Sequence, residues 1–249
     1  MSKTTFIGFN QRIQLEWLNQ TAEMVLAGKA PSQIRDSLNE LLSDKLSTAK
    51  AEADSSTNRG KTISILTKIW LNPPPSLSGL HQDGLALLNR LPTSERLAVH
   101  WGMSMAVYPF FGQVADTVGR LLQLQSNLTS IQVQRRLQEQ LGESETVARA
   151  TQRVMRCFVD WGVLKDGGKN GIYQAMPAIA LLDKPLLTWL LEAALAATTS
   201  KTRLLQALTQ TPGLYPFSFT NPSKAQLESH PRLELYYQGL DQSFISLRP

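Results

Sequence analysis

Residues 129–174 read TSIQVQRRLQEQLGESETVARATQRVMRCFVDWGVLKDGGKNGIYQ. Thr129 or Ser130 is placed to N-cap a helix over Ile131–Leu141. Val133, Leu137 and Leu141 stand four apart and form its apolar stripe. Gly142 allows the backbone turn that stops a helix, and Ser144 is a second N-cap. The next helix runs to Trp161, with Val147, Ala150, Val154, Phe158 and Trp161 on one face. Arg149, Gln152 and Arg156 lie opposite, and Arg153 is on the flank. Gly162 ends this helix. Val163-Leu164-Lys165 and Ile172-Tyr173-Gln174 then pair across Asp166–Gly171. Helix, tight turn, helix and glycine-tipped hairpin, in that order, predict a winged helix-turn-helix.

Modules of that kind most often bind duplex DNA. A helix that buries one face and turns arginine and glutamine outward suits a major groove, where arginine pairs with guanine edges or phosphates and glutamine with adenine. The expected phosphate contacts are Arg135, Arg136, Lys165 and Lys169. The expected base-edge or further phosphate contacts are Arg149, Gln152, Arg153 and Arg156, with Thr146 in the first turn and Asn170 at the wing. Glu139, Glu143, Glu145, Asp160 and Asp166 dilute the positive field of the segment. Two alternatives stay open: the same face docks a partner protein, or the chain is a dimeric transcription regulator on a palindromic operator.

Outward from this segment, the first 46 residues predict two helices. Ile13, Trp17 and Met24, with Leu18 and Val25, recur at helical spacing, and Gly28 ends that run. Pro31 suits the first turn of the next helix, which continues through Ile34, Leu38, Leu41 and Leu42. Ser47–Gly60 is polar, and its 47–58 part is the expected mobile loop. Lys61–Leu71 reads as a helix stopped by Pro73-Pro74-Pro75. Helices are expected at 78–91 and 94–107, the second broken by Pro109. Before residue 162 no stretch alternates long enough for a strand, so the first two thirds are expected to be all helical. Helices are expected again at 183–197 and 200–209. After a turn-rich aromatic segment at Thr211–Phe219, two short strands, Leu233–Tyr237 and Ser243–Leu247, flank a turn.

Composition narrows the classes. The chain has 249 residues, 42% hydrophobic and 18% charged, with a net charge of +5. Its pI is near 9.4, a balance that fits an anionic partner. The first 60 residues are neutral, and the excess is spread over the rest, with net +2 across 129–170. One cysteine, Cys157, excludes an internal disulfide. The most apolar window, Leu181–Ala197, is interrupted by Asp183, Lys184, Pro185 and Glu192 and falls short of the ~20 apolar residues of a bilayer span. A cytoplasmic protein with no membrane partner is expected. His81, His100 and His230 have no metal-ligand spacing, no phosphate-binding glycine loop is present, and Cys157 falls on the buried side of its helix. Asp36 and Glu40 read as a solvated helix face. The expectation is a non-enzyme with no catalytic residue, no metal and no cofactor.

The order of features resembles BrxA, an accessory protein of the BREX phage-defence systems, across residues 10–165. The resemblance is carried by Val25-Leu26-Ala27-Gly28, Leu87-Leu88-Asn89-Arg90-Leu91, the apolar helix Leu97–Val107, Arg135-Arg136-Leu137, and Ser144-Glu145-Thr146-Val147 leading to Trp161-Gly162-Val163-Leu164. It implies a helical fold similar to an antitermination-factor bundle, DNA binding without catalysis, and a defence role. The chain after residue 210 lies outside it. The expected fold is therefore mainly α: a helical bundle with an embedded winged helix-turn-helix and a small C-terminal β-hairpin. The expected domains are 1–125, helical, and 126–249, winged helix with its extension. The expected partners are duplex DNA and the proteins of a larger assembly.

Overall fold

A computed structural model describes residues 7–46, 57–168, 171–200, 202–238 and 242–248. The chain is mainly helical, with eleven α-helices among the described residues and small sheets of two or three strands. Helix α1 (Leu15–Leu26) and α2 (Pro31–Leu41) match the expected pair. Gln33 reaches back to the Ala30 N–H at 3.0 Å and holds the start of α2. Helix α3 (Asn58–Trp70) starts three residues before Lys61, because Thr57 caps it by accepting from the Gly60 N–H. Apart from Thr57 and Asn58, the 47–58 stretch lies outside the described residues.

Helices α4 (Ser78–Arg90) and α5 (Thr93–Val107) follow. Every residue of α5 from Leu97 to Val107 is buried, which makes it the central rod of the core. Pro109 does end α5, but it also opens a further helix, α6 (Pro109–Leu124), which is not among the expected elements. At the first helical position proline has no N–H to leave unpaired. Phe110, Phe111, Val114, Ala115, Val118 and Leu121 form the buried side of α6. Gly119 looks like a helix-weakening residue, yet a Cβ there would lie 2.0 Å from the Pro212 carbonyl oxygen, so only glycine lets that turn seat on the helix.

The stretch up to residue 161 is not wholly helical. Strand β1 (Asn127–Thr129) precedes α7 (Ser130–Leu141) and α8 (Glu145–Asp160), and β2 (Leu164–Asp166) and β3 (Ile172–Ala175) follow. The sheet order is β1-β3-β2, all antiparallel, with Leu128 opposite Tyr173 and Lys165 opposite Gln174. Three residues with one buried side chain carry too little alternation for β1 to be seen in sequence.

In the C-terminal part, β4 (Ile179–Ala180) leads to α9 (Lys184–Ala196). The expected helix at 200–209 is instead β5 (Thr202–Leu204) followed by the short α10 (Leu205–Thr209). Strand β6 (Phe217–Ser218) pairs in parallel with β4, and α11 (Lys224–Glu228) precedes β7 (Leu233–Gln238) and β8 (Gln242–Leu247). The expected hairpin gains β5 as a third strand, in the order β5-β8-β7. Arg203 faces Ile245 in that pairing, a long-range partnership that draws 202–204 out of a helix.

The apolar core runs from Phe9 to Ile245 without a break at residue 125. Trp189 of α9 sits against Gly102 of α5 and donates to the Leu80 carbonyl at 2.8 Å. Trp101 donates to the Gly213 carbonyl at 3.0 Å. A charged clip ties β7 to the helices. Arg232 bonds both oxygens of Glu192 at 2.7 and 3.0 Å and Asp83 at 2.5 Å. The Glu192 side chain is only 4% exposed. Among the described residues no helix is long and apolar enough to cross a membrane.

Candidate nucleic-acid interface

The α7–α8 unit is built by local chemistry at each end. Thr129 and Gln132 form a reciprocal cap: the Gln132 N–H donates to Thr129 Oγ1 at 3.2 Å, and the Thr129 N–H donates to Gln132 Oε1 at 2.8 Å. Val133 and Leu137 are fully buried, and Leu141 is packed against the core. Gly142 adopts φ +95°, a region that side chains rarely occupy, and Ser144 caps α8 by accepting from the Thr146 N–H at 3.2 Å.

Two layers fix the orientation of α8. Its inner face enters an aromatic cluster, where Phe158 lies 4.8 Å from Trp101 and 5.3 Å from Phe111. Its flank is covered by the chain before α1; Ile13, expected in that helix, lies here instead. Trp161 donates to the Ile13 carbonyl at 2.9 Å, and the Ile13 N–H donates to Cys157 Sγ at 3.1 Å. Arg12 forms a two-pronged pair with Asp160, both bonds at 2.5 Å. That pair raises the Arg12 pKa. Its partners are 148 residues apart, and nothing in the sequence pairs them.

What remains outside is a narrow arc. At 100° per residue, Glu145, Arg149, Gln152 and Arg156 fall within about 60° of one another. Thr146 is exposed beside them. The arginines of this arc are paired internally. Arg149 bonds Glu145 one turn earlier, and Arg156 reaches both oxygens of Asp166 at 3.1 and 3.4 Å. On α7, Arg135 bonds Glu139 at 3.1 Å, and Arg136 lies 4.0 Å from the same carboxylate. Arg153 stands apart from the arc: half-buried, it donates to Gln11 Oε1 at 2.7 Å. Lys165 is exposed on β2, opposite Gln174, which donates to Asn127 at 2.7 Å. Lys169 and Asn170 lie outside the described residues. The structure thus brings Arg149, Gln152 and Arg156 together, holds Arg156 to the hairpin, and separates Arg153.

Cys157, His100 and His81 are taken up by packing. Burial pushes the Cys157 thiol up to about 12. His100 is fully buried: Trp70 Nε1 donates to its Nδ1 at 3.1 Å, so Nε2 carries the proton and donates to Asn19 at 2.9 Å. Burial holds the His100 pKa down to about 3. His81 donates to the Trp70 carbonyl at 2.9 Å, and burial lowers its pKa. A cleft of about 570 Å³ opens between α4, α9 and residues 226–231. Beside it Arg90 pairs with Asp183, and Arg232 with Asp83 and Glu192, and Lys184 is a further charged residue of its lining. No metal-binding cluster occurs among the described residues.

Comparison with known proteins gives no match: no family model, no curated protein and no solved structure.

Proposed function

We propose that residues 109–175 form a winged helix that binds duplex DNA, with α8 in the major groove and the β2–β3 hairpin as its wing. The supporting observation is the element order α6–β1–α7–α8–β2–β3 on an antiparallel β1-β3-β2 sheet, with arginine and glutamine on the outward arc of α8. Arg149, Gln152, Arg156 and Lys165 are the central contacts, and Arg135, Arg136 and Thr146 are peripheral. The protein acts as a non-enzymatic DNA-binding accessory factor. A place in a phage-defence or DNA-processing complex rests on the resemblance to BrxA alone, and the DNA reading does not need it.

Paired arginines make this a modest binder. Its affinity for arbitrary duplex falls in the non-specific range of ~10⁻⁴–10⁻⁶ M at physiological salt. The test is a gel shift with full-length protein at ~50 and ~200 mM salt, because released counterions make phosphate binding fall steeply with salt. Retarded duplex at low salt that is lost at high salt is expected. Absence of any shift at low salt, with protein at tens of micromolar, on the order of that range, overturns the proposal.

One observation favours protein docking as the second reading. Leu124 and Ile131, at 83% and 73% exposure, stand at either end of β1 beside the same unit. A face that docks protein rather than DNA leaves the duplex unshifted at both salts.

A further inference from the structure

We infer that Gln152 is the residue through which α8 prefers an adenine, and that Arg149 and Arg156 hold phosphates rather than base edges. This rests on the DNA-binding reading above and deepens it.

The division follows from the partners on the arc. Arg149 is held by Glu145 from its own helix, and Arg156 by Asp166 from the hairpin. Guanine recognition needs the guanidinium fork free to meet two acceptors, O6 and N7. Here each guanidinium already carries a carboxylate. A phosphate is an anion of similar geometry and can take the carboxylate's place. A guanine edge is neutral and offers no charge to replace the carboxylate's.

Gln152 differs from both. It is exposed, three residues after Arg149 and four before Arg156, in the middle of the arc. Among the described residues its carboxamide has no hydrogen-bond partner. It presents one acceptor and two donors on one plane. Adenine's major-groove edge presents the N6 donor and the N7 acceptor, which match in pairs. Guanine presents two acceptors there and leaves the amide oxygen opposed. An uncommitted amide between two phosphate-holding arginines therefore reads one adenine.

The experiment selects full-length wild type and Gln152→Ala on a randomised duplex library. Binding of each protein is then measured to the enriched duplex, to the same duplex with the adenine replaced by cytosine, and to one carrying 7-deazaadenine. Wild type should enrich one A·T pair. It should prefer the enriched site over the cytosine version by about five- to 150-fold, the range for one bidentate contact. The 7-deaza base, which lacks only the N7 acceptor, should weaken wild type. Gln152→Ala should lose the discrimination that the bidentate contact supplies at that position, and should be indifferent to the 7-deaza change. A melting curve checks that this exposed substitution has left the fold intact.

Three results overturn the inference. Wild type that binds with the expected salt dependence and yet enriches no adenine leaves the DNA reading standing without it. A Gln152→Ala protein that keeps the wild-type preference places the base contact elsewhere. Failure of wild type to bind any duplex removes the DNA reading as well.

Discussion

Replacing Arg149 and Arg156 together by alanine separates the role of the α8 arc from its contribution to folding. Arg149 is 70% exposed and its partner Glu145 75%. An exposed helical pair of this spacing contributes about 0.3–0.5 kcal/mol. Arg156 and Asp166 are somewhat less exposed, and their pair belongs to the same class of about 0–1 kcal/mol. Neither arginine supports the aromatic core, so the double variant should lose roughly 1 kcal/mol or less. That corresponds to about 2–4 °C in melting temperature for a chain of this size. DNA binding responds differently. Each phosphate contact contributes about 0.9 to the slope of log K against log salt, so the variant's slope should flatten by about 1.8. A hydrogen bond to a charged group is worth about 1.5–3 kcal/mol, and exchanging the internal carboxylate for phosphate returns part of that. A net loss near 1 kcal/mol per arginine gives roughly 30-fold weaker binding at low salt. Fluorescence anisotropy of a labelled duplex across ~50–200 mM salt reads both quantities, with urea unfolding as the stability control. A double variant with wild-type affinity and slope would refute the argument, and the arc would then be a protein-docking face.

Trp161→Ala should do the reverse, costing about 3–5 kcal/mol by removing a buried indole. This appears as a drop of roughly 6–20 °C in thermal unfolding, and a loss below ~1 kcal/mol would contradict the packing described. Glu192→Ala should destabilise by about 3–5 kcal/mol, at the lower end because Arg232 keeps Asp83 and some water. Adding Arg232→Met should recover part of that loss in the same urea titration, whereas strictly additive losses would mean the clip is not a unit. Stability should also fall with acid. His100 has a folded pKa of about 3, below its unfolded value of ~6.5, so the unfolded chain binds the extra proton. Its contribution is fully present above pH ~6.5 and is lost progressively toward the folded value, about 2 kcal/mol of it between pH ~7 and ~5. His81 and His230 shift in the same direction. Urea midpoints that do not change from neutral pH to pH ~5 would show that His100 is not held neutral.

The elements legible in the sequence are those whose causes are local. The Thr129 and Ser144 caps, the buried stripes of α7 and α8 and the stops at Gly142 and Gly162 are each written within a few residues, and each is found where expected. The hairpin itself is also local, but its register is not as expected: Asp166, expected in the loop, closes β2 opposite Tyr173, so Lys165 faces Gln174 rather than Ile172. The misses share the opposite property. Strand β5 exists because β8 lies beside it, and β1 because β3 does. Helix α6 was hidden by Pro109 and Gly119, two residues that disfavour helix interiors. In the fold one is a first-turn residue and the other a contact with the Pro212 backbone. Periodicity could place Arg153 only on the flank of the arginine face, because its partner, Gln11, comes from the far end of the chain.

The same distinction bears on how α8 could work. A reading helix must be held to a fraction of an ångström, and a helix fixed on several sides meets that better than one on a loop. The inner face of α8 is locked by Phe158 among Trp101 and Phe111, and its C-terminal end by Trp161 on the Ile13 carbonyl. Its flank is locked by Arg12 on Asp160 and Arg153 on Gln11, and its hairpin side by Arg156 on Asp166. Of these, only the inner face was readable from spacing. The N-terminal segment therefore acts as a brace for α8 rather than as the first turn of α1. Removing the Arg12 and Gln11 contacts would loosen α8 without touching its outward arc.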